Sequence, residues 1–147
     1  MPLLRRPDVR AVLVDHAYRV LLLHVTDGRT RWWEAPGDVP ETRREAPAET
    51  VARVLRTECG LSRGVRTGPC VWTARDGRRE TRWHVAWLDD PNAPGADATP
   101  LTATTLGARW WTLDELASSA ETFRPERLPA LAPAVVRGEY GPAPVAR

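Results

Sequence analysis

An α+β fold is predicted by three features of this 147-residue sequence. Two short β-branched and aliphatic runs open the chain, one amphipathic helix lies near its middle, and a second strand pair precedes further helical sequence. Strands and helices therefore come in groups, which is the pattern of strands packed against segregated helices. A chain of this length suits one domain, here residues 1–147, and buries roughly two-thirds of its unfolded surface without help from disulfides or a structural metal.

Residues 10–15 and 19–26 are strand-like runs separated by His16-Ala17-Tyr18, which predicts a hairpin. Asp27-Gly28 marks a turn, residues 30–34 make the next strand, and the Ala-Pro-Gly-Asp at 35–38 reads as a loop. Residues 42–46 lead into a helix, with Pro47 at its first position, where the missing N–H costs nothing. Ala48, Val51, Ala52, Leu55 and Cys59 recur at helical spacing and form an apolar stripe. Glu49 and Arg53 stand four apart in the favourable order, and Gly60 supplies the C-terminal cap. Residues 70–74 and 80–88 flank Asp76-Gly77 and predict a second hairpin. Residues 89–107, rich in proline, alanine and threonine, read as a surface loop. A short strand at 109–111 is followed by Thr112 as an N-cap with Glu115 closing a capping box. A last helix spans 125–137 and accommodates Pro129 and Pro133, and 138–147 read as a frayed tail.

Composition excludes some classes of function. A net charge of +2 is too small to make nucleic acid or membrane the main partner. Every basic residue is arginine, and lysine, isoleucine and glutamine are missing; this is the signature of a GC-rich, bacterial coding sequence and weakens any argument from arginine counts. Cys59 and Cys70 form no C-x-x-C pair, which fits a reducing compartment. The N-terminal MPLLRRPDVR lacks the apolar stretch of a signal peptide, and no apolar run reaches transmembrane length. A cytoplasmic protein is expected.

The segment EAPAETVARVLRTECGL at 45–61 resembles the second half of the Nudix box, G-x5-E-x7-R-E-U-x-E-E-x-G-U with U a bulky aliphatic. Glu45, Arg53, Leu55, Glu58, Gly60 and Leu61 stand at that spacing, whereas Val54 and Thr57 fill the two other glutamate positions. The W-x-x-P-G at 33–37 and the RWWTLDEL at 109–116 occur in the family's order. The resemblance implies a Nudix-type α/β/α sandwich around a mixed β-sheet. It also implies hydrolysis of a phosphoanhydride, with magnesium held by glutamates at 54, 57 and 58, and a bracing ion pair between Glu45 and Arg53. Only Glu58 of the three ligand positions keeps a carboxylate, and Val39 stands where the family has glycine. Loop and helix are altered together, as in a remade site.

The remaining candidates are dispersed. Among seven tryptophans, Trp33 is a candidate stacking surface, although most such residues are core; Trp32 and Trp33 alternate faces, so only one is fully buried. His24 and His84 lie on predicted strands and, with Glu34 or Glu80, would make metal-free acid–base machinery if the sheet brought them together; hydrogen-bonded strand histidines are the plainer reading. Arg31 is a candidate anion contact. The candidate set is thus Glu58, His24 and His84 for catalysis; Trp33, Glu34, Val54 and Arg31 for substrate; Glu58 for a weakly held metal; and Glu45, Arg53 and Gly60 as scaffold.

Three functions are kept open. The leading one is a Nudix-fold protein whose hydrolase site has been lost or rebuilt for small-molecule binding or metal-independent catalysis, requiring no cofactor, with a tailoring step of secondary metabolism as one setting. The second is an unconventional diphosphate hydrolase using Mg2+ on Glu58 with Glu34, Asp38, Glu41 or Glu49. The third is a regulatory ligand sensor. A small molecule is the expected partner, with neither nucleic acid nor membrane, and a homodimer is left open.

Overall fold

The computed structural model of the protein describes residues 6–141. Its eight described strands form one mixed sheet. β1 (Asp8–Val14) and β2 (Val20–Thr26) meet at the closed end of the expected hairpin, where Val14 lies opposite Val20. The turn between them is pinned by Asp15, whose Oδ1 accepts from the Ala17 and Arg19 N–H groups at 3.0 and 2.8 Å. From there the strands part. β1 runs parallel to β6 (Arg79–Leu88) from Asp8 opposite Thr81 to Val14 opposite Trp87.

The fork between β1 and β2 is shared out to two consecutive short strands. β3 (Arg31–Glu34) pairs antiparallel with β2, and β4 (Gly37–Asp38) pairs antiparallel with β1. Residues 35–38 were expected as loop, yet Gly37 and Asp38 join the sheet. The reason is close approach: a Cβ on Gly37 would lie 2.3 Å from Arg10 Cγ and 2.6 Å from the Val9 carbonyl oxygen. Only glycine lets this backbone reach β1.

β5 (Val65–Asp76) pairs with β6 around the Asp76-Gly77 turn as expected, but it begins at Val65 and not at 70. Register shifts on both sides of Cys70 absorb Gly68 and Pro69, residues that read as breakers. β7 (Thr105–Trp111) lies antiparallel to β2 and takes the end of the expected loop; the rest of that stretch holds a 3-10 turn at Ala96–Ala98. β8 (Phe123–Arg124), not expected, runs parallel to β3.

Among the described residues three helices cover the sheet: α1 (Pro47–Cys59), α2 (Leu113–Ser118) and α3 (Leu128–Val136). Side chains alternate across β1, so Val9, Ala11 and Leu13 pack with Val51, Leu55 and Cys59 of α1. Val12 and Val14 face the other way, toward Leu116 of α2 and Leu128, Ala132 and Val135 of α3. The result is helix on sheet on helices, a three-layer α+β sandwich. α1 starts at Pro47 and ends on Gly60 at φ 70, but Ala48 and Ala52 are exposed while Thr50 and Val54 are buried. The apolar arc is therefore rotated toward Val54. The α2 capping box forms, with Thr112 N–H donating to Glu115 Oε1 at 3.0 Å and Glu115 N–H to Thr112 Oγ1 at 3.1 Å. α3 begins at Leu128, not 125, with Pro129 in its first turn. Tyr140 packs onto the same core, so the expected tail is anchored that far; its residues 142–147, like 1–5 at the N-terminus, lie outside the described residues. No described helix is long and apolar enough to cross a membrane.

Candidate functional site

The parting of β1 from β2 leaves a cleft of about 240 Å3. Its lining includes Arg10 of β1, Leu23, Val25 and Thr26 of β2, Trp32 and Glu34 of β3, Gly37 of β4, and Glu58 from the last turn of α1, with Thr104 and Thr105 at its edge. A chain of polar contacts fixes the wall. Asp8 Oδ2 holds Arg10 Nε at 3.0 Å, and Arg10 Nη1 donates to the Ala35 carbonyl at 2.7 Å and to the Glu34 carboxylate. Trp32 Nε1 donates to the other Glu34 oxygen at 2.6 Å. Burial opposes the charge on Arg10, but Glu34 and Asp8 outweigh it and hold its pKa up.

Glu58 completes the cleft from the helix side. It is half-buried, and its Oε2 meets no hydrogen-bond partner among the described residues. Loss of water pushes its carboxyl up to about 7; Arg10 pulls against this, whereas the charges on Asp38 and Glu34 add to it. Below the cleft, Arg53 and Glu45 tie α1 to the preceding loop. Arg53 Nη2 and Nε reach the two Glu45 oxygens at 3.0 and 3.1 Å, and Nη2 also donates to the Val39 carbonyl at 3.0 Å. The Arg53 hydrogen bonds, aided by Thr50 Oγ1 at 2.7 Å, bring the Glu45 carboxyl down to about 2.

Of the residues singled out in the sequence, Glu58 and Glu34 share the cleft. Val54 does not line it: the residue is 2% exposed and is a core position. Thr57 is exposed, and its hydroxyl donates to the Arg53 carbonyl at 2.9 Å. Asp38 is drawn to Arg53 at 3.4 Å, Glu41 hangs at 3.9 Å from the same guanidinium, and Glu49 accepts the Ala46 N–H at 3.2 Å. The structure does not bring His24 and His84 together. His24 lies in register with Trp33 and Gly107 and stacks on the Trp33 ring at 4.3 Å; His84 lies beside Ala11 and Cys70, with Nδ1 3.1 Å from the Gly68 carbonyl. Each is held by its own partners in a different part of the curled sheet. Trp33 packs against Trp111 on the α2–α3 face, and Arg31 is exposed outside the cleft. Trp32, its neighbour on the opposite face of β3, is the tryptophan that lines the cleft. Sequence reasoning missed Arg10 and Trp32. The alternation of the Trp pair was the available signal for Trp32; nothing local marks Arg10.

A three-layer sandwich in which an Arg–Glu brace locks a glutamate-bearing helix against the sheet defines a Nudix-type domain. The NUDIX domain family model matches residues 4–132, and the chain belongs to that family. No curated protein sequence matches it. Among solved structures, a NUDIX-family hydrolase from Clostridium perfringens superposes with a TM-score of 0.69 at 17% identity, covering 92% of this chain and 98% of its own. An ADP-ribose pyrophosphatase from Streptococcus suis gives 0.68 at 16%, covering 96% and 98%. A MutT protein from Methanosarcina mazei gives 0.64 at 18%, covering 90% and 96%. At such identities the likeness is one of fold.

The magnesium cluster that the family implies does not fit the residues present. Among the described residues, no group of three His, Cys, Asp or Glu side chains converges. Val54 is in the core, Thr57 is bonded back to its own helix, and Glu34 is engaged by Arg10.

Proposed function

We propose that this chain is a Nudix-fold protein whose diphosphate-hydrolase centre has been rebuilt into a small-molecule site that works without a magnesium cluster. The observation that supports it is the pairing of Arg10 with Glu34 in the cleft, where hydrolysis would need carboxylates free for metal. Breaking a phosphoanhydride builds charge on its oxygens, and several kcal/mol of offset normally comes from bound cations. One guanidinium already tied to two carboxylates cannot supply that. The cleft instead offers a fixed donor in Arg10, an indole wall in Trp32, and in Glu58 a carboxyl raised to about 7, a value suited to giving or taking a proton near neutrality. At about 240 Å3 it falls below the ~300–1,000 Å3 of ordinary ligand pockets, so one ring or one short chain fits and a whole dinucleotide does not.

The second reading, an unconventional hydrolase, draws on Glu34 and Glu58 sharing the cleft. One assay separates the two. Nucleoside diphosphate sugars, ADP-ribose and dinucleoside polyphosphates are incubated with the protein with and without EDTA. The proposal expects no useful turnover in either case. Turnover on the order of 1 per second that EDTA abolishes, within the usual enzyme range, would refute it.

A further inference from the structure

We propose that Arg10 is a resident counter-cation, standing where Glu34 and Glu58 would otherwise hold a divalent ion, and that it keeps such ions out of the cleft. The inference rests on the metal-free reading above and names the residue that enforces it.

Three observations carry it. Arg10 is fixed from behind: Asp8 holds Nε at 3.0 Å, and the Ala35 carbonyl takes Nη1 at 2.7 Å. Its stem passes directly over Gly37, where a Cβ would stand 2.3 Å from Arg10 Cγ. The path into the cleft thus depends on a glycine. Finally, the guanidinium meets the Glu34 carboxylate and shares the cleft with Glu58, whose Oε2 has no partner among the described residues.

The chemistry of the two cations makes this exclusive. A divalent ion on Glu34 needs oxygen lone pairs at about 2.0–2.6 Å. A guanidinium offers five donors, no lone pair, and a charge that proteins do not remove. Where Arg10 is bonded to Glu34, an entering ion must both displace it and sit beside its positive charge. The Glu34 carboxylate is then neutralised internally, and the cleft keeps its shape with no ion.

The test uses the whole chain and manganese chloride alone, followed by calorimetry. Wild type and Arg10→Lys, which keeps the charge, are expected to show no saturable site below ~1 mM, the weak end of protein sites for hard divalent cations. Arg10→Gln is expected to gain a one-to-one site at least tenfold tighter, and adding Glu58→Gln should abolish the gain. An Arg10→Gln protein that binds no better than wild type overturns the proposal, as does a gain that survives Glu58→Gln. Wild-type crystals soaked in manganese ask the same question with no substitution. Arg10 still on Glu34 with no anomalous peak supports the proposal; a peak between Glu34 and Glu58 overturns it. If wild type binds no manganese and Arg10→Gln gains nothing, this inference alone falls. A tight wild-type site coupled to EDTA-sensitive turnover removes the metal-free reading as well.

Discussion

Restoring the family's glutamate at position 54 is the sharpest perturbation, because the box pattern and the structure expect opposite results. From the pattern alone, Val54→Glu with Thr57→Glu rebuilds the metal ligands. In the structure Val54 is 2% exposed and Thr57 is exposed, so the two substitutions differ in kind. A glutamate forced into the Val54 site must shed its water or its charge. Holding it protonated at pH 7 costs about 4 kcal/mol, from the ~2.7 units between pH 7 and its ordinary pKa. Losing the valine forfeits part of a further ~1.5–3 kcal/mol of apolar burial. Together these approach ~4–6 kcal/mol, against a total stability of roughly 5–15 kcal/mol for a domain. For a chain of this size that is a fall in Tm of roughly 10–20 °C. Thr57→Glu should lie within about 0.5 kcal/mol of wild type, as exposed substitutions do. Differential scanning calorimetry of the two single variants measures both. The reasoning fails if Val54→Glu melts with wild type and the double variant binds manganese stoichiometrically through Glu58. Position 54 would then be open to the cleft one helical turn from Glu58, not packed in the core.

Two pH-dependent predictions follow from the titrating carboxyls. Glu58 is raised to about 7, so the folded state binds the proton more tightly than the unfolded chain; its contribution is full below the unfolded value near 4.5 and is lost as pH rises through 7. Urea unfolding between pH 5 and 8 should show stability falling in wild type and flattened in Glu58→Gln, and identical slopes would show that Glu58 is not buried as described. Glu45 is depressed to about 2, so its contribution is present above 4.5 and lost as pH falls from there toward 2. Arg53→Ala should lower stability at pH 6 and remove much of the difference between pH 6 and pH 3; an unchanged acid limb would mean the pair does not brace the helix.

The parts of the fold legible in the sequence are those set by local chemistry. Pro47 and Gly60 mark the ends of α1, and Thr112 with Glu115 marks the start of α2. Each acts within one turn of chain. The misread elements depend on distant partners. β4 and β8 are two residues long and exist only because β1 and β3 are there to pair with them. β5 passes through Gly68 and Pro69 because β6 supplies the register on either side. The helix face was misjudged for a different reason. Alanine counts as apolar in a periodicity but gains little from burial, so Ala48 and Ala52 gave way to Thr50 and Val54. Arg10 and Glu34 are far apart in the chain and meet only because β1 and β2 part on leaving the Val14–Val20 pair. No pattern in either strand records that fork.

The substitution at Val54 also bears on what Glu58 has become. The two residues lie four apart, hence on one side of α1 and one turn from each other. Where the family's box has glutamate at both positions, the two carboxylates stand side by side and a shared cation is favourable for both. A valine buried at 2% exposure puts apolar substance there instead. Glu58 then has Arg10 as its nearby counter-charge, and Arg10 is already drawn to Glu34 and Asp8. Desolvation outweighs that remaining attraction, which is why the Glu58 carboxyl rises to about 7 when a metal ligand would be driven down. On the rebuilt-site reading, position 54 offers no ligand, and Glu58 is left as a carboxyl that desolvation raises toward neutrality.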